Sequence, residues 1–137
     1  MKIAIVDNDR AWLKNLLDII SDKDDINYFS SNKEFGKVSI KGYDIIFIEY
    51  NLPGKFTGEQ IARAIEGKTD ATVALMGKNY DWISQNIVTN GHIQAVLDKN
   101  KPNQFTKFLE SIHHTHIIRG YFGEAMKELN KMQQAII

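Results

Sequence analysis

The sequence predicts an α/β protein in which helices cover both faces of a parallel β-sheet. Short apolar runs alternate five times with segments of helical periodicity, and the connections between them are short. The run at residues 45–48 is apolar throughout, as in strands whose two faces are both buried. A length of 137 residues with 43% hydrophobic content suits one globular domain with an ordinary core.

The first two strand–helix pairs occupy the N-terminal third. Residues 2–6 form a compact apolar run, and residues 11–20 follow with helical spacing behind Asp9, a suitable N-cap. Residues 26–29 predict a weaker second strand.

The helix after the second strand is expected to be short. It should begin after Ser31, turn Phe35 and Val38 toward the core, and end near Gly42.

The third strand–helix pair contains the clearest strand signal. Residues 45–49 read Ile-Ile-Phe-Ile-Glu and are followed by a turn with Leu-Pro-Gly. Thr57 is expected to cap a helix whose inner face holds Ile61, Ala62 and Ile65.

Two further pairs complete the pattern. Residues 72–76 and 93–97 predict strands four and five. The intervening helix is expected over Tyr80–Val88, with a stop near Asn90-Gly91, and Pro102 should open a fifth helix that runs to about residue 118.

The expected topology is flavodoxin-like, with strand order 2-1-3-4-5 and right-handed crossovers. In that order strands one and three are neighbours, and polar residues follow strands one, three and five: residues 7–9, Glu49 and Lys99. These groups are therefore expected to converge on one pocket at the carboxyl edge of the sheet.

The last nineteen residues form an additional amphipathic helix, so the chain is predicted to divide into a domain 1–118 and an extension 119–137. Gly120 and Gly123 are expected to separate this helix from the fifth one. Its apolar positions are Tyr121, Phe122, Ala125, Met126, Leu129, Met132 and Ile136. The stripe has three candidate partners: its own domain, a second subunit in a homodimer, or another protein.

Composition excludes several function classes. Lys plus Arg equal Asp plus Glu at 17 each, which predicts no general attraction to nucleic acid or to an anionic membrane. The absence of cysteine excludes disulfides and thiolate sites. No signal-peptide pattern and no run of roughly 20 apolar residues is present, so a cytoplasmic protein is expected.

Three motifs occur in a defined order: Ile-Val-Asp-Asn-Asp, then Tyr-Asp-Ile-Ile-Phe-Ile-Glu-Tyr-Asn-Leu-Pro-Gly, then Val-Leu-Asp-Lys. With them, residues 1 to about 118 resemble the CheY-like receiver domain of two-component response regulators. In that family two acids and an acceptor aspartate hold Mg²⁺, while a hydroxyl residue and a lysine contact the phosphoryl group.

The resemblance maps the acidic pocket onto Asp7, Asn8 and Asp9. Asp7 matches the first family acid, Asn8 stands in place of the second, and Asp9 is a candidate substitute for it. Glu49 replaces the phosphoryl-accepting aspartate, and its extra methylene moves the carboxylate about 1.5 Å further into the pocket. A residual Mg²⁺ site would use Asp7, Asp9 and Glu49.

The phosphate-contact positions are also changed. Lys99 matches the family lysine, but Met76 or Gly77 stands where the hydroxyl residue is expected, and Val96 replaces the aromatic switch residue. Together with Asn8 and Glu49, these changes predict a degenerate receiver, or pseudo-receiver.

Glu49 has two interpretations at this point. It is either a solvated or hydrogen-bonded pocket carboxylate without a signalling role, or a side chain that reaches Lys99 and imitates part of the phosphorylated state.

The leading functional hypothesis is a non-enzymatic, stand-alone signalling adaptor that acts by protein–protein contact, independently of phosphorylation. Its partner would be a histidine kinase or a downstream effector. The resemblance implies the surface of helix four, strand five and helix five, which receivers commonly use, as the place of contact. The alternative is a competent receiver that binds Mg²⁺ and takes phosphate from a histidine kinase. A flavin-binding or other small-molecule protein is a third, outlying possibility, since no glycine-rich phosphate signature follows strand one.

Overall fold

The computed structural model of the chain describes residues 1–20, 22–87 and 92–136. Its strands are β1 (Lys2–Val6), β2 (Asp25–Phe29), β3 (Ile45–Glu49), β4 (Thr72–Gly77) and β5 (Ile93–Asp98). They form one parallel sheet in the order β2-β1-β3-β4-β5, which confirms the predicted topology.

Five helices alternate with the strands: α1 (Arg10–Ile19), α2 (Asn32–Phe35), α3 (Gly58–Ala64), α4 (Tyr80–Asn86) and α5 (Pro102–Ile136). Two predicted caps are confirmed. Asp9 accepts a hydrogen bond from the Trp12 N–H at 3.1 Å, and Thr57 forms a reciprocal capping box with Gln60. In the described ranges, no helix combines the length and the apolar character that a bilayer crossing requires.

The second helix is shorter than expected. It ends after a single turn at Gly36, so Phe35 is buried as predicted, whereas Val38 lies beyond the helix and is 38% exposed. Gly42 does not terminate the helix. It adopts a φ of +87° in the loop before β3, a conformation that glycine reaches without steric cost.

The fourth and fifth helices also differ from the prediction. α4 ends at Asn86, and Val88 and Asn90-Gly91 fall outside the described residues. The extra C-terminal helical segment is present, but the predicted break at Gly120 and Gly123 is wrong, because α5 continues through both positions. A helix interior tolerates an isolated glycine at a cost of about 1 kcal/mol, so glycine alone does not stop it.

The two sheet faces pack against different helices. On one face Ile46 and Ile48 join a buried cluster with Phe35 of α2, Ala62 of α3 and Ile83 of α4.

On the opposite face Phe47 lies 5.9 Å from the ring of Phe105, which lies 5.1 Å from that of Trp12 in α1. The buried apolar character of β3 on both faces therefore matches its sequence.

By its internal contacts the chain divides into two units, Met1–Phe105 and Thr106–Ile137. The first unit contains the sheet and α1 to α4, and the second contains the larger part of α5. The boundary between residues 118 and 119 stays a prediction.

Candidate functional site

The strand register brings three side chains together at the carboxyl edge of the sheet. Val6 of β1 pairs with Ile48 of β3, so Asp7 and Glu49, one residue further on, lie side by side. Lys99 follows β5, and its N–H donates to the carbonyl of Gly77 at 3.1 Å, which fixes it at the same edge.

The ammonium group of Lys99 connects the two carboxylates. Its Nζ lies 2.7 Å from Oδ2 of Asp7 and 3.1 Å from Oε1 of Glu49. All three residues are buried, with 5%, 0% and 7% of their surface exposed, respectively. Buried charges are stable only when paired in this way, and here one cation serves two anions.

Trp12 holds the lysine from the α1 side. The Lys99 Nζ lies 4.5 Å from the centre of the indole ring, and the indole N–H donates to the Lys99 carbonyl at 3.2 Å. Trp12 therefore contributes a cation–π contact and a hydrogen bond to the same residue. Trp12 is also buried and packs α1 against Phe105.

The second carboxylate oxygen of Glu49 points toward Gly77. A methyl group at residue 77 would lie 3.4 Å from Oε2 of Glu49 and 2.5 Å from Cδ1 of Ile83. Oε2 is buried and accepts no hydrogen bond from the described residues. A side chain at position 77 would therefore be in ordinary contact with the Glu49 carboxylate and would crowd the end of the Ile83 side chain.

The two candidates for the hydroxyl position differ in placement. Met76 pairs with Glu49 in the sheet register and is fully buried, whereas Gly77 follows it, with its Cα beside the Glu49 carboxylate. Gly77 is therefore the residue at the site, and it supplies no hydroxyl group. Val96 is half-buried and packs against the core cluster that contains Ile83.

Burial and hydrogen bonds perturb two carboxyl groups. Burial raises the pKa of Glu49, and this effect outweighs the opposing attraction of the Lys99 ammonium group. The Trp12 backbone N–H lowers the pKa of Asp9, because the hydrogen bond favours the charged carboxylate.

An open cleft of about 600 Å³ lies above this buried cluster. Its lining is polar: Asn8, Asp9, Glu49, Asn51, Lys78 and Asn79. Asn8 is exposed and lies in the lining of this cleft.

The sequence analysis does not identify three of these lining residues, Asn51, Lys78 and Asn79. Nδ2 of Asn51 donates to Oδ1 of Asn79 at 3.1 Å, and Lys78 lies 3.4 Å from Asp9. Their position along the chain could have indicated Asn51 and Asn79 as site residues. Each follows the end of a strand by two residues, and those two strands are neighbours in the sheet.

The acids proposed as Mg²⁺ ligands do not fit that ion in this arrangement. Lys99 lies between Asp7 and Glu49, while Asp9 caps α1 and pairs with Lys78. Across residues 1–20, 22–87 and 92–136, no group of three or more His, Cys, Asp or Glu side chains is placed to hold a metal ion. A divalent cation would have to displace an ammonium group from the same oxygens.

Chemically, the arrangement is a closed ion cluster. One oxygen of each carboxylate, Oδ2 of Asp7 and Oε1 of Glu49, is bound to Lys99, and Gly77 beside Glu49 offers no hydroxyl donor.

No protein-family model matches the sequence, and no curated protein matches it either. Solved structures do resemble it. A two-component response regulator from Clostridium difficile has 24% identity and a TM-score of 0.69, over 83% of this chain and 96% of that one. The signal receiver domain of an HD domain-containing protein from Pseudomonas fluorescens Pf-5 has 18% identity and a TM-score of 0.69, over 87% and 91%.

A third similar structure is the response regulator DrrB of Thermotoga maritima, an OmpR/PhoB homolog, with 18% identity and a TM-score of 0.68. The match covers 84% of this chain but only 53% of DrrB, so the chain spans about half the length of that protein. At these identities the likeness concerns architecture. The chain has the fold of the CheY-like receiver domains of response regulators.

Proposed function

We propose that this protein is an atypical receiver-like module of signal transduction that acts by contact with another signalling protein, independently of phosphorylation at residue 49. The observation that carries the proposal is the position of Lys99, whose ammonium group is bonded to both Asp7 and Glu49. A receiver that cycles through phosphorylation needs those oxygens for metal and phosphoryl group.

The acceptor position supports the same conclusion. Phosphoryl transfer depends on positioning, and a shift of about 1 Å is enough to lose a productive geometry. Glu49 carries one methylene more than the family aspartate, and its Oε2 is directed at Gly77 rather than at open solvent. These two features, together with the absence of a hydroxyl group on Gly77, support a site that does not accept a phosphoryl group.

Contact between Glu49 and Lys99 also supports the second interpretation of Glu49. An acid that reaches the family lysine without phosphorylation provides about one negative charge, where a phosphoryl group provides nearly two. On this proposal the domain is held in one signalling state by its own residues.

A histidine kinase or a downstream effector is the proposed class of partner. α4 offers an exposed aromatic residue for such contact: Trp82 is 50% exposed, and its ring lies 5.5 Å from that of Tyr50. Half-exposed aromatic residues are common anchors in protein interfaces.

The first experiment is intact-mass measurement after incubation with acetyl phosphate and Mg²⁺, beside a receiver known to be phosphorylated. We expect no phosphoryl adduct on the wild-type chain. A Mg²⁺-dependent adduct mapped to Glu49 would overturn the proposal and establish the competent receiver instead.

The second experiment tests the adaptor role. Wild-type, Glu49→Ala and a deletion of residues 119–137 serve as baits in native cell extract, with and without a phosphodonor. We expect wild type to capture a signalling protein equally under both conditions. Failure of every bait to capture a specific partner would contradict the adaptor role.

A further inference from the structure

The C-terminal part of α5 carries an exposed apolar stripe with coiled-coil spacing. Its members follow one another at intervals of four, three, four and three residues: Ile118, Phe122, Ala125, Leu129 and Met132. This spacing averages 3.5 residues, the period that keeps one seam of a helix facing a partner helix.

The stripe is open to solvent in the single chain. Ile118, Phe122, Leu129 and Met132 are 50–67% exposed, and Ala125 is exposed as well. A single scattered apolar residue on a surface is ordinary, but a continuous stripe of this length calls for a covering partner.

Two further apolar residues widen the stripe. Tyr121 is 70% exposed and Met126 is 41% exposed, and both flank the seam. The opposite side of the helix holds the polar positions, including Glu124, Lys127 and Lys131.

The exposed area is sufficient for a dimer. Within residues 118–132, six large apolar side chains are at least 41% exposed. At on the order of 100 Å² for each side chain, they present about 600 Å² of apolar surface. This is most of the roughly 800 Å² that each partner contributes to a standard interface.

The charges of the segment also favour a second copy. Residues 119–137 contain three basic and two acidic side chains, so two copies would not repel strongly. A helix that binds an anionic membrane usually has a polar face rich in Lys and Arg, whereas here Lys131 is paired with Glu128 at 3.6 Å.

We propose that residues 118–132 of two copies of this chain pair as a parallel two-stranded coiled coil. In a parallel pair each seam residue meets its own counterpart. Tyr121 of one copy then lies beside Met126 of the other, which extends the apolar seam, and Glu128 meets Gln133, which avoids contact between like charges. This inference does not depend on the proposed function of the Lys99 cluster.

The test of pairing is the molar mass of the full chain by light scattering on a sizing column, over a dilution series. We expect twice the chain mass of 15.7 kDa for wild type. Leu129→Glu should reduce the mass to that of one chain, while Asn130→Glu, the same charge on the adjacent polar position, should leave the dimer intact. A monomeric or trimeric wild type, or a dimer that survives Leu129→Glu, would overturn the proposal.

The test of direction uses the absence of cysteine in the natural chain. Met132→Cys places one thiol in the seam, and under oxidation it should give a disulfide-linked dimer on a non-reducing gel. Gly123→Cys, outside the seam, should not. A wild-type dimer without cross-linking at position 132 would exclude the parallel arrangement, since an antiparallel pair places the two copies of residue 132 far apart.

Discussion

The ammonium nitrogen of Lys99 and the nearer carboxylate oxygen of Glu49 are 3.1 Å apart, and both groups are buried. Asp7 shares the same ammonium group at 2.7 Å. Two carboxyl groups therefore share one cation in a buried environment, where an unpaired charge is costly. The excess of negative over positive charge determines how the stability of the site should respond to substitution and to pH.

Removal of the shared cation should destabilise the fold strongly. Lys99→Met leaves Asp7 and Glu49 buried, close together and without a counter-charge. We expect a loss of about 3 kcal/mol or more in the free energy of unfolding, measured by urea denaturation. Adding Glu49→Gln to Lys99→Met should recover part of the loss, because one buried negative charge is removed. Equal stability of the single and double variants would show that repulsion between the carboxylates is not the cause.

Stability should fall with rising pH because of Glu49. Burial raises the pKa of Glu49 above its ordinary value of 4.5, so the native state retains a proton that the unfolded state has already released. The contribution is complete below pH 4.5 and is lost as pH rises through the folded-state pKa. Glu49→Gln should remove this dependence, so the difference between its unfolding free energy and that of wild type should grow with pH. A constant difference would contradict the raised pKa.

Two glycines should respond in opposite ways to alanine. A methyl group at Gly58 would lie 2.3 Å from the carbonyl oxygen of Glu49 and 2.9 Å from Cα of Tyr50, both backbone atoms that cannot move aside cheaply. Gly58→Ala should therefore lower the free energy of unfolding by about 2 kcal/mol.

Gly123 has open space around it in a helix, so Gly123→Ala should raise the free energy of unfolding by about 1 kcal/mol. Thermal denaturation of the two variants measures both effects.

Residues 49 and 77 should be energetically coupled. Gly77→Ser places its Cβ 2.5 Å from Cδ1 of Ile83, and this crowding should destabilise by about 1–3 kcal/mol. The new hydroxyl group can donate to Oε2 of Glu49, which accepts no other hydrogen bond from the described residues. Glu49→Asp withdraws that oxygen, so the double variant should be less stable than the sum of the single losses predicts. A double-mutant cycle measures the coupling free energy between the two positions, which we expect to be about 0.5 kcal/mol or more. Additive losses would mean that the long acid and the glycine are unrelated.

Much of the fold follows from the sequence because its signals are local. The apolar run of residues 45–49, the cap at Thr57 and the alternation of strands and helices each depend on a few adjacent residues. The convergence of Asp7, Glu49 and Lys99 follows from strand order, since the carboxyl ends of parallel strands share one edge.

Other features depend on contacts that no local pattern encodes. The indole of Trp12 reaches Lys99 across 87 positions of sequence, and nothing in the helix pattern distinguishes this contact from ordinary packing. The choice between Met76 and Gly77 required the strand register. The length of α5 is not predicted by its glycines, which favour a break when considered alone, whereas the surrounding residues favour the helix.

The most direct test of the closed cluster uses Trp12 as a reporter of Lys99. The chain has two tryptophans, so Trp82→Phe leaves Trp12 alone beside the ammonium group. Its emission is followed while Mg²⁺ and beryllofluoride, a mimic of the phosphoryl group, are added together, and Lys99→Met in the same background shows that the reporter senses the lysine. We predict no saturable change in the Trp12 emission, because the ammonium group of Lys99 is already bonded to Asp7 and Glu49. A saturable change that requires both additions and disappears in Glu49→Ala would contradict the account.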